Sequence, residues 1–93
     1  MLTYTYDSSI IEIRESANEQ DMEFRIRALG GDAIDAAIKR VQERFEQNEI
    51  LSDVYSYVYK NHEYQFIVRQ DFYEEFILAL MRYRLLQRVQ WDE

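Results

Sequence analysis

Two stretches near the start of the chain alternate apolar and charged residues, and this alternation constrains the fold more than any other feature. Residues 10–15 read IIEIRE and residues 22–28 read MEFRIRA. Successive side chains of a strand point to opposite faces, so the pattern predicts two strands with one buried face each, joined as a hairpin. The register that brings opposite charges together sets three facing pairs: Ile13 and Phe24, Glu12 and Arg25, Arg14 and Glu23.

The adjacent glycines Gly30 and Gly31 end the second strand, and an amphipathic helix is predicted to follow. Asp32 stands at the N-cap position, where its carboxylate can accept a free backbone N–H. Asp35 falls on another face of the helix than the apolar residues. Those residues recur at spacings of three and four: Ile34, Ala37, Ile38, Val41 and Phe45. Residues 2–6, LTYTY, also alternate and predict a short edge strand before the first hairpin.

Tyrosines occupy every second position from Tyr55 to Tyr59, which poses the main functional question. With Asn61 and His62 as the tip of a second hairpin, three pairs face each other: Tyr59 and Tyr64, Tyr57 and Phe66, Tyr55 and Val68. Two amphipathic helices need an apolar sheet face to cover. We therefore expect these rings to lie in the core and not to form a platform for stacking nucleobases.

A second helix is predicted from Asp71 to about Val89, with Glu74 completing a variant of the capping box. Its apolar residues exceed what packing on one sheet requires. The surplus forms a stripe at helical spacing: Leu78, Met81, Leu85 and Val89. This stripe predicts either a seam with a second copy of the chain or packing against the first helix.

The elements follow the order (β)ββαββα, with two loose ββα repeats at residues 10–48 and 53–91. We expect an α+β fold, a two-layer sandwich whose antiparallel sheet carries both helices on one face. Residues 1–93 are expected to form a single domain, because a chain of this length has material for only one core.

Composition narrows the classes of function. The chain has no cysteine and a single histidine, His62, which falls at the predicted turn and is expected to be a solvated turn residue. We therefore expect no catalytic site, no metal site and no cofactor. The longest apolar run, FILALM at residues 76–81, is too short to cross a membrane, and a cytoplasmic protein is expected.

A net charge of −7 opposes attraction to nucleic acid or anionic lipid. We expect an acidic, non-catalytic protein that binds another protein, and self-association through the second helix is one of the two alternatives for the stripe. The alternative is an RNA or single-stranded DNA binder that uses positive residues of the open sheet face: Arg25, Arg27, Lys60 and Arg69. A third hypothesis is an acidic mimic of nucleic acid. Burial of the tyrosines is the basis for preferring a protein partner, and exposed rings would remove that basis.

Overall fold

The computed structural model describes residues 2–46 and 54–92, and this part of the chain contains two helices and six strands. The elements in chain order are β1 (Leu2–Thr5), β2 (Ile11–Asn18), β3 (Asp21–Ala28), α1 (Asp32–Glu46), β4 (Val54–Val58), β5 (Glu63–Arg69), α2 (Tyr73–Arg82) and β6 (Arg88–Trp91). A short 3-10 turn, Gln70–Phe72, leads into α2. The predicted α+β sandwich is confirmed.

The strands form two antiparallel sheets. The main sheet has the order β2-β3-β5-β4, and β1 pairs with β6 in a second sheet of two strands. An extra strand at residues 2–6 is predicted correctly, but its partner β6 overlaps the last residues of the predicted second helix. The small sheet is joined to the main one by Tyr6, whose hydroxyl donates to the Ile13 carbonyl at 3.2 Å.

The first hairpin has its apolar residues on the predicted face but in a different register. Ile13 lies opposite Ile26 rather than Phe24, so Arg14 faces Arg25. The reason is the turn: Asn18 pairs with Asp21, which leaves only two residues in the loop. A shift of two residues keeps every side chain on its face, so the inner face is predicted correctly and the charge pairs are wrong.

The pairing register of the second hairpin differs from the predicted one by one residue, and this shift exchanges the inner and outer faces of β4. The observed pairs are Val54 and Val68, Ser56 and Phe66, Val58 and Tyr64. The loop holds three residues, because the Tyr59 N–H donates to the Glu63 carbonyl at 2.8 Å. Asn61 and His62 take the positive φ values of 64° and 62° that this tight loop requires.

The second helix ends at Arg82, one and a half to two turns before the predicted end. The Arg84 N–H donates to the Met81 carbonyl and the Leu85 N–H to the Leu80 carbonyl, both at 3.0 Å. Together with a φ of 64° at Arg84, these bonds form a Schellman motif. Leu80 and Leu85 are both buried in the core, and burial of Leu85 favours the stop.

The start of this helix also differs from the prediction. Asp71 lies within the 3-10 turn, and α2 begins at Tyr73 after Phe72, which makes no side-chain capping bond. The predicted capping box of Asp71 and Glu74 is therefore wrong. Glu74 still lies in the first turn, where its charge is favourable to the helix dipole.

The core lies between the main sheet and the two helices and is centred on aromatic rings. The ring of Phe76 on α2 lies 4.6 Å from that of Phe24, 5.1 Å from that of Phe66 and 5.8 Å from that of Phe45. These residues come from four elements, so one side chain ties both helices to the two central strands. Ala37, Ile38 and Val41 are buried as predicted, while Ile34 and Phe45 pack at the margin.

Candidate binding face of the sheet

The side of the main sheet away from the helices is open, and a row of tyrosines stands on it. We call this side the open face; its central row crosses the four strands as Arg14, Arg25, Gln65 and Tyr57. The side chains of Tyr55, Tyr57 and Tyr59 are 53%, 50% and 42% exposed. Their predicted burial is therefore wrong: the second hairpin's inner lining comes from Tyr64, Phe66 and Val68 on β5.

Arg25 is the centre of the interactions on this face. Its Nη1 lies 3.3 Å from Glu63 Oε1 and its Nε lies 3.6 Å from Glu23 Oε1. The guanidinium carbon also stands 5.1 Å from the centre of the Tyr59 ring, within the range of a cation–π contact. The hydrogen bond to Glu63 is the main cause that raises the pKa of Arg25.

Gln65 extends these contacts into a connected network. Its amide donates to Glu23 Oε1 at 2.6 Å and accepts a hydrogen bond from the Tyr59 hydroxyl at 2.7 Å. Glu23 and Tyr59 are both partners of Arg25, so the hydrogen bonds close a ring of contacts across β3, β5 and the turn. This network restricts the rotation of its side chains, whereas a surface side chain without such partners rotates freely.

The four positive residues predicted for the nucleic-acid alternative do not form one cluster. Arg25 and Arg27 lie on β3 towards the turn that carries Lys60, whereas Arg69 lies at the far end of β5 opposite Asp21. Carboxylates alternate with the arginines: Arg14 lies 3.3 Å from Glu12, and Arg69 lies 3.7 Å from Asp71. The open face is thus balanced in charge.

A shallow cavity of about 520 Å³ lies on the side of this face formed by β2 and β3. Its walls carry both signs of charge, with Arg14, Arg25 and Arg27 beside Glu12 and Glu23. The tyrosine row borders β5 on the other side. The face therefore offers an aromatic edge, a polar centre and a charged depression.

His62 lies at the turn with its side chain 62% exposed, as the sequence predicts, and its ring also contacts a buried carboxylate. Its Nδ1 lies 2.8 Å from Asp35 Oδ2, and the Tyr64 hydroxyl donates to Asp35 Oδ1 at 2.7 Å. Asp35 on α1 is 9% exposed, although its position indicates another face. Burial, followed by the bond to Asp35, raises the pKa of Tyr64 to about 12.

An imidazole oriented by aspartate is the arrangement of a general base, which also needs a nucleophile within hydrogen-bond reach. Within residues 2–46 and 54–92, His62 makes no hydrogen bond to a serine, threonine or lysine side chain. The trio of Asp35, His62 and Tyr64 instead satisfies a buried carboxylate and fastens the turn to α1. Position 35 precedes Ile38 by three residues, and this spacing is the signal that sequence reasoning missed.

The residues predicted for self-association do not share a helix face. Leu78 and Met81 are exposed on α2, Leu85 is buried beyond the end of that helix, and Val89 is half-buried on β6. A groove of about 750 Å³ runs between α1 and α2 beside Leu78 and carries Arg82 at its rim. Only the exposed pair remains available for contact with another molecule.

The part of the chain that the structure describes contains neither a candidate metal site nor a candidate membrane-spanning helix. No group of three or more histidine, aspartate or glutamate side chains there is placed to hold a metal ion. None of the helices in these two ranges is both long and apolar enough to cross a bilayer.

The chain matches no protein-family model, and comparison with the curated proteins and with the solved structures finds no similar protein.

Proposed function

We propose that this chain is a non-catalytic binding protein that holds another protein on its open face. The observation that carries the proposal is the solvent-facing row of Tyr55, Tyr57 and Tyr59 beside Arg25. Tyrosine and arginine are enriched in protein–protein interfaces and dominate their hot spots. Tyrosine in particular supplies a large contact area with little conformational entropy to lose.

Exposure of the tyrosines removes burial as a reason to prefer a protein over a nucleic acid, so charge must decide. A phosphate chain needs free cations, but Arg14 and Arg25 each have carboxylate partners within 3.6 Å. The chain as a whole carries a net charge of −7. A protein surface of mixed charge meets this face without displacing those carboxylates, so a protein is the better ligand.

The network around Arg25 supports binding by a rigid surface. The hydrogen bonds of Gln65 and Tyr59 hold the centre of the face in one arrangement before any partner arrives. A surface organised in this way loses less side-chain entropy on association. The partner expected is a protein segment with an apolar or aromatic centre and charged residues of both signs around it.

Single-stranded nucleic acid is the second candidate, and the row of rings is the observation that favours it. Stacking of a base on an aromatic side chain contributes ~1–3 kcal/mol. Tyr59 is already covered by the Arg25 guanidinium, which leaves Tyr55 and Tyr57 for stacking. In the register of the sheet, Arg25 pairs with Gln65, the partner of Tyr57, and Arg69 lies two residues along β5 from Ile67, the partner of Tyr55. The acids here alternate with arginines, which does not favour the acidic mimic.

Photo-crosslinking in the native host tests the proposal. A benzophenone amino acid placed at Tyr57 is expected to capture one protein species that differs from a second copy of this chain, and Arg25→Glu in the same chain is expected to abolish the capture of that species. The matched control places the probe at Lys39, an exposed residue of α1. Capture of the same species from both positions, or capture that survives Arg25→Glu, would exclude the open face as the binding surface.

A titration with fluorescent oligouridine and oligothymidine at low salt tests the second candidate. We expect no saturable binding. Binding that weakens steeply with added salt and is lost in Tyr57→Ala would identify the ligand as nucleic acid, because phosphate contacts release counterions and stacking needs the ring.

A further inference from the structure

The edge strands of the main sheet are β2 and β4, and the rest of the chain covers them to different extents. On β2, the Ile11 N–H donates to the Asp7 carbonyl at 3.2 Å, and the Tyr6 hydroxyl bonds both the N–H and the carbonyl of Ile13. The N-terminal segment thus covers part of that edge. Exposed edges that lack such cover, or a charged side chain or proline, are sites of strand pairing with another chain.

The outer edge of β4 has no such cover among the described residues. Tyr59 bonds towards β5, so by the alternation of a strand the N–H and carbonyl groups of Val54, Ser56 and Val58 point away from the sheet. No described residue hydrogen-bonds these groups. The strand carries neither a charged side chain nor a proline, and Val58 is 58% exposed beside this edge.

The sequence of β4 is palindromic. Val54 to Val58 read Val-Tyr-Ser-Tyr-Val, which is identical in both directions. An antiparallel pair of two such strands centred on Ser56 therefore sets valine against valine, tyrosine against tyrosine and serine against serine. The residues with outward backbone groups then fall at the hydrogen-bonded positions of the new ladder.

We propose that two copies of this chain pair through the outer edges of β4, antiparallel about a two-fold axis at Ser56. The two four-stranded sheets then form one continuous sheet. On the open face, Tyr55 of one copy lies opposite Tyr57 of the other, a cross-strand aromatic pair that stabilises such ladders. On the opposite face, Val58 is covered by Val54 of the other copy. This pairing does not rest on the proposed function of the open face.

Proline at position 56 separates the ladder within the chain from the ladder between chains. The Ser56 N–H points outwards, so Ser56→Pro removes a donor from the proposed interface and none from the pairing with β5. We expect the dissociation constant of the dimer to rise at least about tenfold, because two central hydrogen bonds are lost together. The matched control is Ala17→Pro, at an outward position on the edge of β2.

Analytical ultracentrifugation measures the outcome against a monomer mass of 11.4 kDa. We expect twice that mass for the wild type and for Ala17→Pro, and the monomer mass for Ser56→Pro. A wild type that stays monomeric at its highest soluble concentration would overturn the proposal. So would a dimer that survives Ser56→Pro, or one that is lost in Leu78→Asp instead, which would place the contact on α2.

Circular dichroism reports whether Ser56→Pro folds. If Ser56→Pro does not fold, a second variant tests the pairing of the two β4 strands. Ser56→Cys brings two identical residues to the two-fold axis, with Cα atoms about 5.5 Å apart, a distance that a disulfide can span. The wild-type chain has no cysteine, so a covalent dimer formed under mild oxidation is unambiguous. Ala17→Cys is the control, and equal rates of crosslinking in the two variants would contradict the pairing.

Discussion

The amide of Tyr59 donates a hydrogen bond to the carbonyl of Glu63 at 2.8 Å, and this contact decides which side of β4 meets the solvent. It sets a three-residue loop in place of the two-residue loop that the sequence suggests. Because side chains alternate along a strand, the single extra residue moves Tyr55 and Tyr57 from the core to the open face. Both proposals made for this protein follow from that register.

The cluster of rings around Phe76 should dominate the stability of the fold. Phe76→Ala removes a fully buried side chain that contacts both central strands. We expect the free energy of unfolding to fall by ~3–5 kcal/mol, from lost burial and the cavity left behind. Urea denaturation measures the change. Leu78→Ala, on the exposed side of the same helix, should change it by no more than ~0.5 kcal/mol.

The end of α2 gives a prediction of opposite sign. Arg84 has a φ of 64°, which is unfavourable for a residue with a Cβ atom. Arg84→Gly should therefore stabilise the protein, by ~0.5–1 kcal/mol, because glycine adopts this conformation without strain. Arg82→Gly, at the last residue of the helix, should destabilise, by no more than the ~1 kcal/mol that a glycine costs in a helix interior. Thermal unfolding of the two variants should shift the melting temperature in opposite directions.

Sequence patterns predict the elements of this fold better than their ends and registers. Strands β2 and β3 and helix α1 are predicted because their apolar residues lie on one face only. β4 is ambiguous since both of its faces are apolar, with Val54 and Val58 on one side and tyrosines on the other. A loop of two or three residues satisfies the pattern equally well, and only the backbone geometry of the turn separates them.

The end of α2 could not be predicted for a related reason. The residue in the left-handed conformation is Arg84, where glycine or asparagine would have marked a helix stop. Without that signal, Leu85 and Val89 continue the helical spacing of Leu78 and Met81. The stop depends instead on burial of Leu85, a tertiary contact that a local pattern does not contain.

Buried tyrosines should make the protein sensitive to alkaline pH. Burial and the bond to Asp35 raise the pKa of Tyr64 from 10.0 to about 12, so the folded state keeps a proton that the unfolded chain releases above pH 10. The stability contributed by Tyr64 is complete below pH 10 and is lost as the pH rises towards 12. Burial also raises the pKa values of Tyr4 and Tyr73, which adds to the same loss.

Urea denaturation from neutral pH to about pH 11 measures this loss. Tyr64→Phe should be less stable than the wild type at neutral pH, because Asp35 loses a donor, but its stability should fall less steeply above pH 10. An unchanged slope in the variant would show that Tyr64 keeps its ordinary pKa in the folded state.

The contribution of the His62–Asp35 contact to the free energy of unfolding should be separable from the backbone strain of the turn. Asn61 and His62 have nearly equal positive φ values, so a glycine relieves similar strain at either position. We expect His62→Gly to be less stable than Asn61→Gly by ~0.5–1.5 kcal/mol, the usual range for one hydrogen bond. Equal stabilities from parallel denaturation curves would mean that the imidazole contributes nothing through Asp35.

The register of β4 against β5 is the claim on which the open face depends, and nuclear Overhauser effects between Hα protons test it most directly. Facing residues that are not directly hydrogen-bonded have closely spaced Cα atoms and give the strongest cross-strand signals. The structure predicts such signals between Ser56 and Phe66 and between Val58 and Tyr64. Signals between Tyr57 and Phe66 instead would return the tyrosines to the core and leave the proposed binding face without its aromatic row.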